Sequence, residues 1–315
     1  MRAVVMESYG EPEVLAVGDV REPELRHGHR RIEVSLAGVN FADLHVRDNS
    51  YLAGVPLPYI PGNEVVGRIA DTGERVAALT AGGGYAEVAQ ARRLTTMPIP
   101  DDIDDATALA LTLQGQSAWH LLHTVLRLQP GETVIIPAAA GGVGSLAVQL
   151  AKRVDARVVA LAGTESKRAL ARDLGADVTV DSTSTTLADD LKDAVDGAAD
   201  AALEMTGGAT LRATMDALRP FGRMVVYGGV SGVETPVSTR DLMATGKAVQ
   251  GFWLPLLYGQ RNALKGAAED LFAAIRSSEI RIPKVDVYPL AEVARAHEDL
   301  AARRTVGKTA LDPSL

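Results

Sequence analysis

The segment 133–152 joins a short apolar run, a glycine turn and a helical run, and its residue types suit the binding of a phosphate. Aligning Ala139, Gly141 and Gly144 with the dinucleotide-binding fingerprint gives Ala-x-Gly-x-x-Gly, with alanine in place of the first glycine. The missing side chain at Gly141 lets the backbone approach a pyrophosphate, and Gly144 lets a helix pack closely on a strand. The helix N-terminus adds free N–H groups and a positive dipole end. We therefore predict a dinucleotide phosphate site here. The alternative is an ordinary turn.

The elements that must position this turn are visible on both sides of it. The β-branched run from Thr133 to Ile136 suits a buried parallel strand, and apolar residues from Leu146 to Ala151 follow with helical spacing. A second strand, 157–161, arrives after the interval expected of a βαβ unit of about thirty residues. This context favours nucleotide binding over an ordinary turn.

Helix and strand patterns alternate from residue 115 onward. The predicted strands are 133–137, 157–161, 177–180, 199–204, 223–227 and 247–252. The predicted helices are 116–127, 143–153, 165–174, 186–195, 208–218 and 238–245. Such alternation builds a doubly wound parallel sheet, so we predict an α/β fold with a Rossmann sheet.

Residues 1–115 show short alternating runs between Gly, Pro and Asp turns, which indicates a compact β barrel or sandwich. The predicted strands are 2–6, 31–36, 65–69, 75–78 and 85–89, and a short helix is predicted over 106–111. The proline-dense segment 54–62 predicts an ordered loop, because each proline removes a backbone donor and fixes φ. We expect the tail to cross back onto this domain. Its predicted elements are helix 260–277, strand 285–287, helix 291–303 and strand 308–311.

Composition limits the class of protein. The chain has 315 residues, of which 47% are hydrophobic and 23% charged, and this is typical of a globular protein long enough for two domains. The net charge of −8, without long single-sign runs, argues against nucleic acid or an anionic membrane as partner. Cysteine is absent, which excludes disulfides, a thiolate nucleophile and cysteine-ligated zinc. No signal peptide or apolar membrane span is recognised, so we expect cytoplasmic residence.

The residues after the second strand of the βαβ unit bear on which dinucleotide binds. In fingerprints selective for NAD, an Asp or Glu about twenty residues past the glycines binds the ribose 2′-hydroxyl. Here that place holds Ala162, followed by Gly163 and Thr164 and then by Lys167. A 2′-phosphate could sit against the small residues and pair with Lys167, so NADP is predicted. The alternative is that Lys167 and Arg168 are only a solvated helix face.

The glycine turn, together with Val39-Asn-Phe-Ala-Asp-Leu-His-Val-Arg47 and Tyr51, resembles the medium-chain dehydrogenase/reductase superfamily, and within it the zinc-independent quinone oxidoreductase branch. The resemblance runs from the N-terminal strand to Lys308. It implies a GroES-like β-rich catalytic domain over 1–115, completed by the tail 262–315, and a Rossmann dinucleotide-binding domain over 116–261. One departure is that Asp181-Ser182 stands where NADPH-binding relatives often have Asn-Tyr, which weakens the NADP prediction without reversing it.

The positions where zinc members of the superfamily carry metal ligands can be read in this chain. Gly38-Val39-Asn40 and Gly62-Asn63-Glu64 hold amides at the first two positions, and the third falls near Leu113. Two neutral amides and a leucine do not make a tetrahedral zinc site. We therefore predict that no metal is bound.

Without a metal, hydrogen-bond donors must stabilise the charge that appears on the acceptor oxygen. The resemblance implies that Asn40 and Tyr51 line the pocket facing the nicotinamide, where an amide and a phenol can donate to an oxygen and Tyr51 could pass on a proton. Packing by Tyr51 and a turn cap by Asn40 are the structural alternatives. Asp43 and Arg47 are expected to form an ion pair or a loop brace.

The resemblance also assigns further contacts. Those predicted for the cofactor, beside Asn40, are Ser117, Ala140, Gly141, Gly142, Val143, Gly163, Thr164, Lys167, Tyr227, Gly228, Phe252 and Trp253. The aromatic pair at the end of this set could equally be interface core. Strand 247–252 is the family's dimer-forming edge, so a homodimer through it is expected.

The leading functional hypothesis is a metal-free NADPH oxidoreductase that reduces quinones or similar α,β-unsaturated carbonyls. The first alternative is a 2-enoyl-thioester or alkenal double-bond reductase, which Gly62-Asn63-Glu64 and Gly251-Phe-Trp-Leu254 also resemble. The second, of another class, is a non-catalytic NADPH-binding protein on the same fold.

Overall fold

The structure, a computed structural model, describes residues 1–260 and 262–315. Its strands are β1 (Arg2–Met6), β2 (Leu15–Asp19), β3 (His29–Val39), β4 (Glu64–Ile69), β5 (Arg75–Leu79), β6 (Val88–Arg92), β7 (Thr96–Pro98), β8 (Thr133–Ile136), β9 (Arg157–Ala162), β10 (Val178–Asp181), β11 (Ala199–Glu204), β12 (Leu218–Val226), β13 (Ala248–Gly251), β14 (Val285–Pro289) and β15 (Lys308–Asp312). Its α-helices are α1 (Phe41–Arg47), α2 (Asp105–Ala110), α3 (Gln116–Trp119), α4 (Gly142–Arg153), α5 (Glu165–Asp173), α6 (Leu187–Val195), α7 (Gly208–Ala217), α8 (Thr239–Thr245), α9 (Ala263–Arg276) and α10 (Val293–Ala301).

Tertiary contacts divide the described residues into two units. The first contains Met1–Gln116, Leu256–Ala274 and Ile282–Leu315, and the second contains Ser117–Pro255 and Ile275–Arg281. The sequence predicts the whole tail from residue 262 with the first unit, whereas 275–281 groups with the second. The reason is local bonding, because Gln149 Nε2 donates to Arg281 O at 3.0 Å and Arg281 N donates to Gln149 Oε1 at 2.8 Å. Arg261, which falls on the predicted boundary and inside the predicted helix 260–277, lies outside the described residues.

The first unit is built on a seven-stranded sheet in which β14, β15, β3, β4, β5 and β7 are successive neighbours and β6 also pairs with β3. Its strands bury one apolar face, with Ile32, Val65 and Leu311 fully inaccessible. The register sets Thr309 opposite Val39 and Ala37 opposite Val65. The starts of β4 and β15 therefore lie beside the end of β3.

The second unit contains six parallel strands in the order β10-β9-β8-β11-β12-β13. β8 and β9 are apolar on both faces, with Val134, Ile135, Val158 and Val159 fully buried, because helices cover both sides of such a sheet. The strand order reverses between β8 and β11, the switch point beside which open α/β sheets bind ligands. The predicted α/β fold with a doubly wound parallel sheet is confirmed.

Several local predictions were wrong in detail. Strand 85–89 is shifted to β6, because Tyr85 O accepts a hydrogen bond from Val4 N at 2.8 Å and Ala86 bridges to Ala3. Helix 116–127 is α-helical only over α3 and continues as π-helical turns over His120–Leu126, as does Leu111–Gly115 before it. Hydrophobic periodicity does not separate these forms, because the π-helical stretches are only 5 and 7 residues long. The sequence also missed β2, β7 and α1.

Among the described residues, none of the helices combines the length and the apolar character needed to cross a lipid bilayer.

Candidate functional site

The predicted phosphate turn lies between β8 and α4. Gly141 N donates to Ala138 O at 2.8 Å, and Ala139 N donates to Leu161 O at 3.0 Å, which ties the turn to β9. Helix α4 then runs for 12 residues from Gly142, and its first N–H groups have no acceptor within the helix. Gly141, Gly142 and Val143 are half-buried, so their backbone is within reach of a ligand. The turn fits a pyrophosphate.

Gly144 is the residue that lets α4 lie against the turn. A Cβ added there would come within 2.8 Å of the carbonyl carbon of Ala138 and 2.9 Å of Ala139 Cα. A Cβ added at Gly141 would meet only Ala138 O, at 3.2 Å. Gly144 is therefore required by the fold itself, whereas the space beside Gly141 stays open toward the side from which a ligand approaches.

The other predicted cofactor residues of the second unit follow the carboxyl ends of its strands. Gly163 follows β9, Tyr227 and Gly228 follow β12, and Phe252 and Trp253 follow β13. Backbone bonds continue the sheet there, since Tyr227 N donates to Glu204 O and Phe252 N to Val226 O, both at 2.9 Å. These residues share one edge of the sheet with the phosphate turn. Ser117 in α3 and Ala140 in the turn are both buried.

The residues predicted to face a 2′-phosphate stand at the start of α5. Thr164 caps the helix, its Oγ1 accepting from Lys167 N at 3.3 Å. Arg168 pairs with Asp181 at 2.8 Å and with Glu165 at 3.1 Å. The Arg168 guanidinium therefore balances the carboxylate of Asp181, the last residue of β10. The half-buried Lys167 remains the predicted phosphate contact.

Sequence reasoning missed a carboxyl group at the switch point. Glu204 is fully buried at the end of β11, and its Oε1 accepts from Thr206 N at 2.5 Å and from Gly207 N at 2.7 Å. Burial raises the pKa of Glu204. In the sequence, the only sign of this site was an acidic residue at the end of an apolar strand. Glu204 anchors the loop that follows β11.

In the first unit, Asn40 lies at the centre of a buried polar cluster. Asn40 Nδ2 donates to Glu64 Oε1 at 2.7 Å, and Asn40 Oδ1 accepts from Lys308 Nζ at 3.1 Å. Lys308 Nζ also pairs with Glu64 Oε1, and both of these side chains are completely buried. The register between β3, β4 and β15 sets these three residues together, although Glu64 and Lys308 are 244 positions apart.

The π-helical turn Leu111–Gly115 completes the cluster. Its widened backbone leaves Leu113 N to donate to Glu64 Oε2 at 2.9 Å, and Gln114 Nε2 donates to Asn40 Oδ1 at 3.3 Å. Gly38 provides the room, since a Cβ there would come within 2.6 Å of Glu64 Cγ. The sequence named Glu64 and Lys308 only as parts of motifs and missed Gln114, because nothing local shows that they meet.

Asp43 braces the start of α1. Its carboxylate accepts from Asn40 N at 2.8 Å, from Asn63 Nδ2 at 2.9 Å and from Tyr85 OH at 3.0 Å. Burial raises the pKa of Asp43 to about 6. Arg47 instead donates to Gly10 O at 3.0 Å, and no ion pair joins it to Asp43 among the described residues. Of the two alternatives, the structure supports a loop brace.

Tyr51 follows α1, and its backbone N donates to His45 O at 3.0 Å. Its half-buried ring packs on the core of the first unit together with Tyr59. Burial, with contributions from Asp43 and Tyr51, raises the pKa of Tyr59 to about 12, and burial likewise raises the pKa of Tyr258 above its usual range. These phenols therefore keep their protons at neutral pH and can act as hydrogen-bond donors.

Because His297 is buried, we expect the free energy of unfolding of the protein to depend on pH. Burial lowers its pKa to about 3, so the imidazole is neutral in the folded protein. The neutral His297 side chain contributes fully to the free energy of unfolding above pH 6.5. This contribution is lost as the pH falls toward 3, because the unfolded chain binds a proton at this histidine before the folded protein does. The total loss is up to about 5 kcal/mol. In His297→Gln, the free energy of unfolding should fall less steeply between pH 6.5 and 4, by about 1.4 kcal/mol per pH unit. Denaturant titrations at several pH values measure this slope.

The control for this titration is Tyr85→Phe. Tyr85 OH lies 3.2 Å from His297 Nε2, so the variant removes this hydrogen bond, and the one to Asp43, but leaves the imidazole in place. It should keep most of the wild-type slope. Parallel curves for wild type and His297→Gln would show that this side chain does not titrate on unfolding.

Two sequence families match the chain. The model of the alcohol dehydrogenase GroES-like domain matches residues 26–89, and the model of the zinc-binding dehydrogenases matches residues 142–273. The first lies in the β-rich unit, as the predicted GroES-like domain requires. The second begins at the first residue of α4.

The name of the second family raises the question of zinc, and the residues present do not fit that ion. All three residues at the positions of zinc ligands act as donors: Asn40 Nδ2 and Leu113 N donate to Glu64, and Asn63 Nδ2 donates to Asp43. The Lys308 ammonium adds a positive charge 3.1 Å from Asn40 Oδ1. No group of three or more His, Cys, Asp or Glu side chains suited to a metal is found in the described part of the chain.

Curated relatives match along nearly the whole length. The quinone oxidoreductase of Pseudomonas aeruginosa is 32% identical over 97% of this chain and 98% of its own. A 2-haloacrylate reductase from a Burkholderia species is 29% identical over 99% of this chain and 98% of its own. The structure of Escherichia coli quinone oxidoreductase complexed with NADPH superposes with a TM-score of 0.94 at 28% identity, over 99% of this chain and 100% of that one. The chain belongs to the medium-chain dehydrogenase/reductase superfamily, in its quinone oxidoreductase-like branch.

Proposed function

We propose that this protein is a zinc-independent NADPH-dependent reductase of quinones or related α,β-unsaturated carbonyl compounds, with Asn40 and Tyr51 as the groups that bind the acceptor oxygen. That it is an NADPH-dependent oxidoreductase follows from its family and from the NADPH complexes of its structural neighbours. The observation that supports the acceptor chemistry is the buried cluster around Asn40. It presents an oriented amide donor where zinc members of the superfamily have a metal ligand.

The chain offers groups for each part of the cofactor. The space beside Gly141, the backbone N–H groups of Gly142 and Val143 and the α4 dipole suit the pyrophosphate, and Thr164 and Lys167 suit a 2′-phosphate. The remaining predicted contacts are Asn40, Ser117, Ala140, Gly163, Tyr227, Gly228, Phe252 and Trp253. Bound NADPH supplies the hydride.

Asn40 and Tyr51 then act on the acceptor. Carbonyl reduction places negative charge on oxygen, and donors aimed at that oxygen lower the barrier. Asn40 has one N–H engaged by Glu64, and its second N–H has no acceptor among the described residues. Tyr51 carries a phenol that can donate a hydrogen bond or pass on a proton.

The test is anaerobic NADPH consumption with a panel of quinones, enals, 2-haloacrylates and enoyl thioesters. We expect turnover with quinones and a lower dissociation constant for NADPH than for NADH. Calorimetry measures both coenzymes under the same conditions. Turnover confined to carbon–carbon double bonds would replace quinone reduction with the second candidate below, and tighter NADH binding would contradict the role of Lys167.

The two proposed donors can be removed separately. Asn40→Ala and Tyr51→Phe should each lower kcat for quinones roughly tenfold, which is less than the roughly hundredfold or larger loss typical of one such donor, because the other remains. NADPH affinity should change little in Tyr51→Phe. Wild-type kcat in both variants would favour a different set of donors, whereas NADPH binding without turnover in the wild-type protein would favour a non-catalytic NADPH-binding protein.

A double-bond reductase is the second candidate. The Burkholderia relative is named for the reduction of 2-haloacrylates, which are α,β-unsaturated carboxylates. The same donors would serve that reaction, because hydride addition at the β-carbon also places negative charge on the carbonyl oxygen. The acceptor panel separates the two candidates.

We also propose that the protein forms a homodimer through β13. This strand is the last of its sheet, and Ala248, Gln250 and Gly251 are exposed. An open strand edge presents unpaired backbone groups to a second copy. Sedimentation equilibrium tests this, and a monomer at micromolar concentration would contradict it.

Cytoplasmic residence stays a prediction from the sequence.

A further inference from the structure

We propose that Lys308 is a positioning residue that, together with Glu64, fixes and polarises the Asn40 carboxamide toward the acceptor. This inference rests on the role proposed above for Asn40. Lys308 lies in the first unit, where its ammonium contacts Asn40 and Glu64. Its contribution to the reaction would pass through the Asn40 side chain alone.

Lys308 and Glu64 fix the orientation of the Asn40 carboxamide. Lys308 Nζ lies 3.1 Å from Asn40 Oδ1, and Glu64 Oε1 lies 2.7 Å from Asn40 Nδ2. Rotating the amide by half a turn would face its NH₂ group toward an ammonium and its oxygen toward a carboxylate. Both contacts would become repulsive, and neither charge is screened, because Lys308 and Glu64 are completely buried. Only one orientation is therefore compatible with the cluster.

Lys308 also strengthens the hydrogen-bond donor that remains on the Asn40 carboxamide. Asn40 Oδ1 accepts from the Lys308 ammonium and, at 3.3 Å, from Gln114 Nε2. A cation on the amide oxygen draws electron density from the nitrogen, so the N–H group that Glu64 leaves unengaged becomes a better donor. The buried ion pair thus both aims this N–H and makes it more acidic.

Further hydrogen bonds hold the ion pair and Asn40 in place. Glu64 Oε2 accepts from Leu113 N at 2.9 Å, so the carboxylate is held from a second side by the π-helical turn. Asn40 N donates to Asp43 at 2.8 Å, which holds the backbone of the residue being aimed. A donor held in this way loses little entropy when the acceptor binds.

The experiment is a double-mutant cycle between the ion pair and Asn40. Lys308→Met with Glu64→Gln removes both charges together, so that no unpaired charge remains buried. In the chain that keeps Asn40, this pair of substitutions should lower kcat for the quinone roughly tenfold, with no larger change in the NADPH dissociation constant than Asn40→Ala produces. In the Asn40→Ala background it should change kcat less than about twofold, because the residue through which it acts is absent.

The outcomes decide between positioning and a purely structural role. An equal loss in both backgrounds, or no loss in the chain that keeps Asn40, overturns the proposal. If the charge-free pair does not fold, Gln114→Met enters the same cycle. It removes a single donor to Asn40 Oδ1, and the same dependence on Asn40 is required of it.

A second readout is independent of turnover. The side-chain amide signals of Asn40, assigned by their loss in Asn40→Ala, should shift and exchange faster with solvent in Lys308→Met/Glu64→Gln. Unchanged signals overturn the positioning role even if no acceptor in the panel is reduced. Conversely, shifted signals in a protein that reduces none of the acceptors would support positioning while contradicting the proposed function.

Discussion

Gly144→Ala is expected to weaken NADPH binding on the order of a hundredfold, or about 2.7 kcal/mol. The new methyl group would lie 2.8 Å from the carbonyl carbon of Ala138 and 2.9 Å from Ala139 Cα, and both are backbone atoms that cannot rotate away. Either α4 or the turn must move, which displaces the N–H groups of Gly142 and Val143 from the pyrophosphate. Overpacking of this kind also destabilises the folded protein by about 1–3 kcal/mol.

Fluorescence titration with NADPH and thermal unfolding measure the two effects, and two other glycines serve as controls. At Gly141 a methyl group would meet only Ala138 O, at 3.2 Å. The Gly141→Ala variant should therefore keep most of the wild-type stability but bind NADPH more weakly. At Gly266, within α9, a Cβ meets nothing within 4 Å, so Gly266→Ala should leave NADPH affinity unchanged and should not lower stability. Unchanged NADPH affinity in Gly144→Ala would contradict the assignment of this turn.

Lys308→Met alone should lower the free energy of unfolding by about 3–5 kcal/mol. The substitution leaves the Glu64 carboxylate completely buried, and its remaining donors among the described residues are Asn40 and Leu113. A buried charge that has lost its counter-charge keeps the full cost of its desolvation. Lys308→Met with Glu64→Gln removes that charge, so the double variant should be more stable than Lys308→Met alone.

Denaturant titration at neutral pH tests this order of stability. Lys192→Met, at an exposed position in α6, controls for the loss of a lysine charge and should stay near wild type. The prediction fails if Lys308→Met is as stable as wild type, or if the double variant is the less stable of the two. Either result would mean that the ion pair is not the element that holds the cluster together.

These stability effects bear on function because the same ion pair surrounds Asn40. A buried ion pair stabilises a fold little more than well-packed apolar residues would, so its value is better sought in what it orients. Here the two charges contact opposite ends of one carboxamide. The kinetic cycle and the unfolding measurements therefore examine two separate properties of one group of residues.

The glycine turn between β8 and α4 and its surroundings could be predicted from the sequence because their determinants are local. Within 20 residues the chain carries a β-branched strand, glycines at the fingerprint spacing and an amphipathic helix. The alternation that follows predicted the parallel sheet for the same reason. Strand and helix periods are properties of neighbouring residues and do not depend on the rest of the chain.

Local signals were weaker in the first unit. β6 lies three residues beyond the start of its predicted strand, since the pairing of Tyr85 and Ala86 with β1 prevails over local alternation. The π-helical turns were read as ordinary helix, although one of them turns Leu113 N toward Glu64. In both places contacts from distant segments decided the local backbone.

By itself, the sequence determined the fold class, the glycine turn between β8 and α4 and the lack of any cysteine for zinc. Only the tertiary structure decided that Asn40 meets Glu64 and Lys308, from strands 24 and 268 residues away along the chain. The physical reason is that periodicity and turn chemistry act between neighbours, whereas a buried ion pair depends on strand register, which forms only when the sheet is assembled.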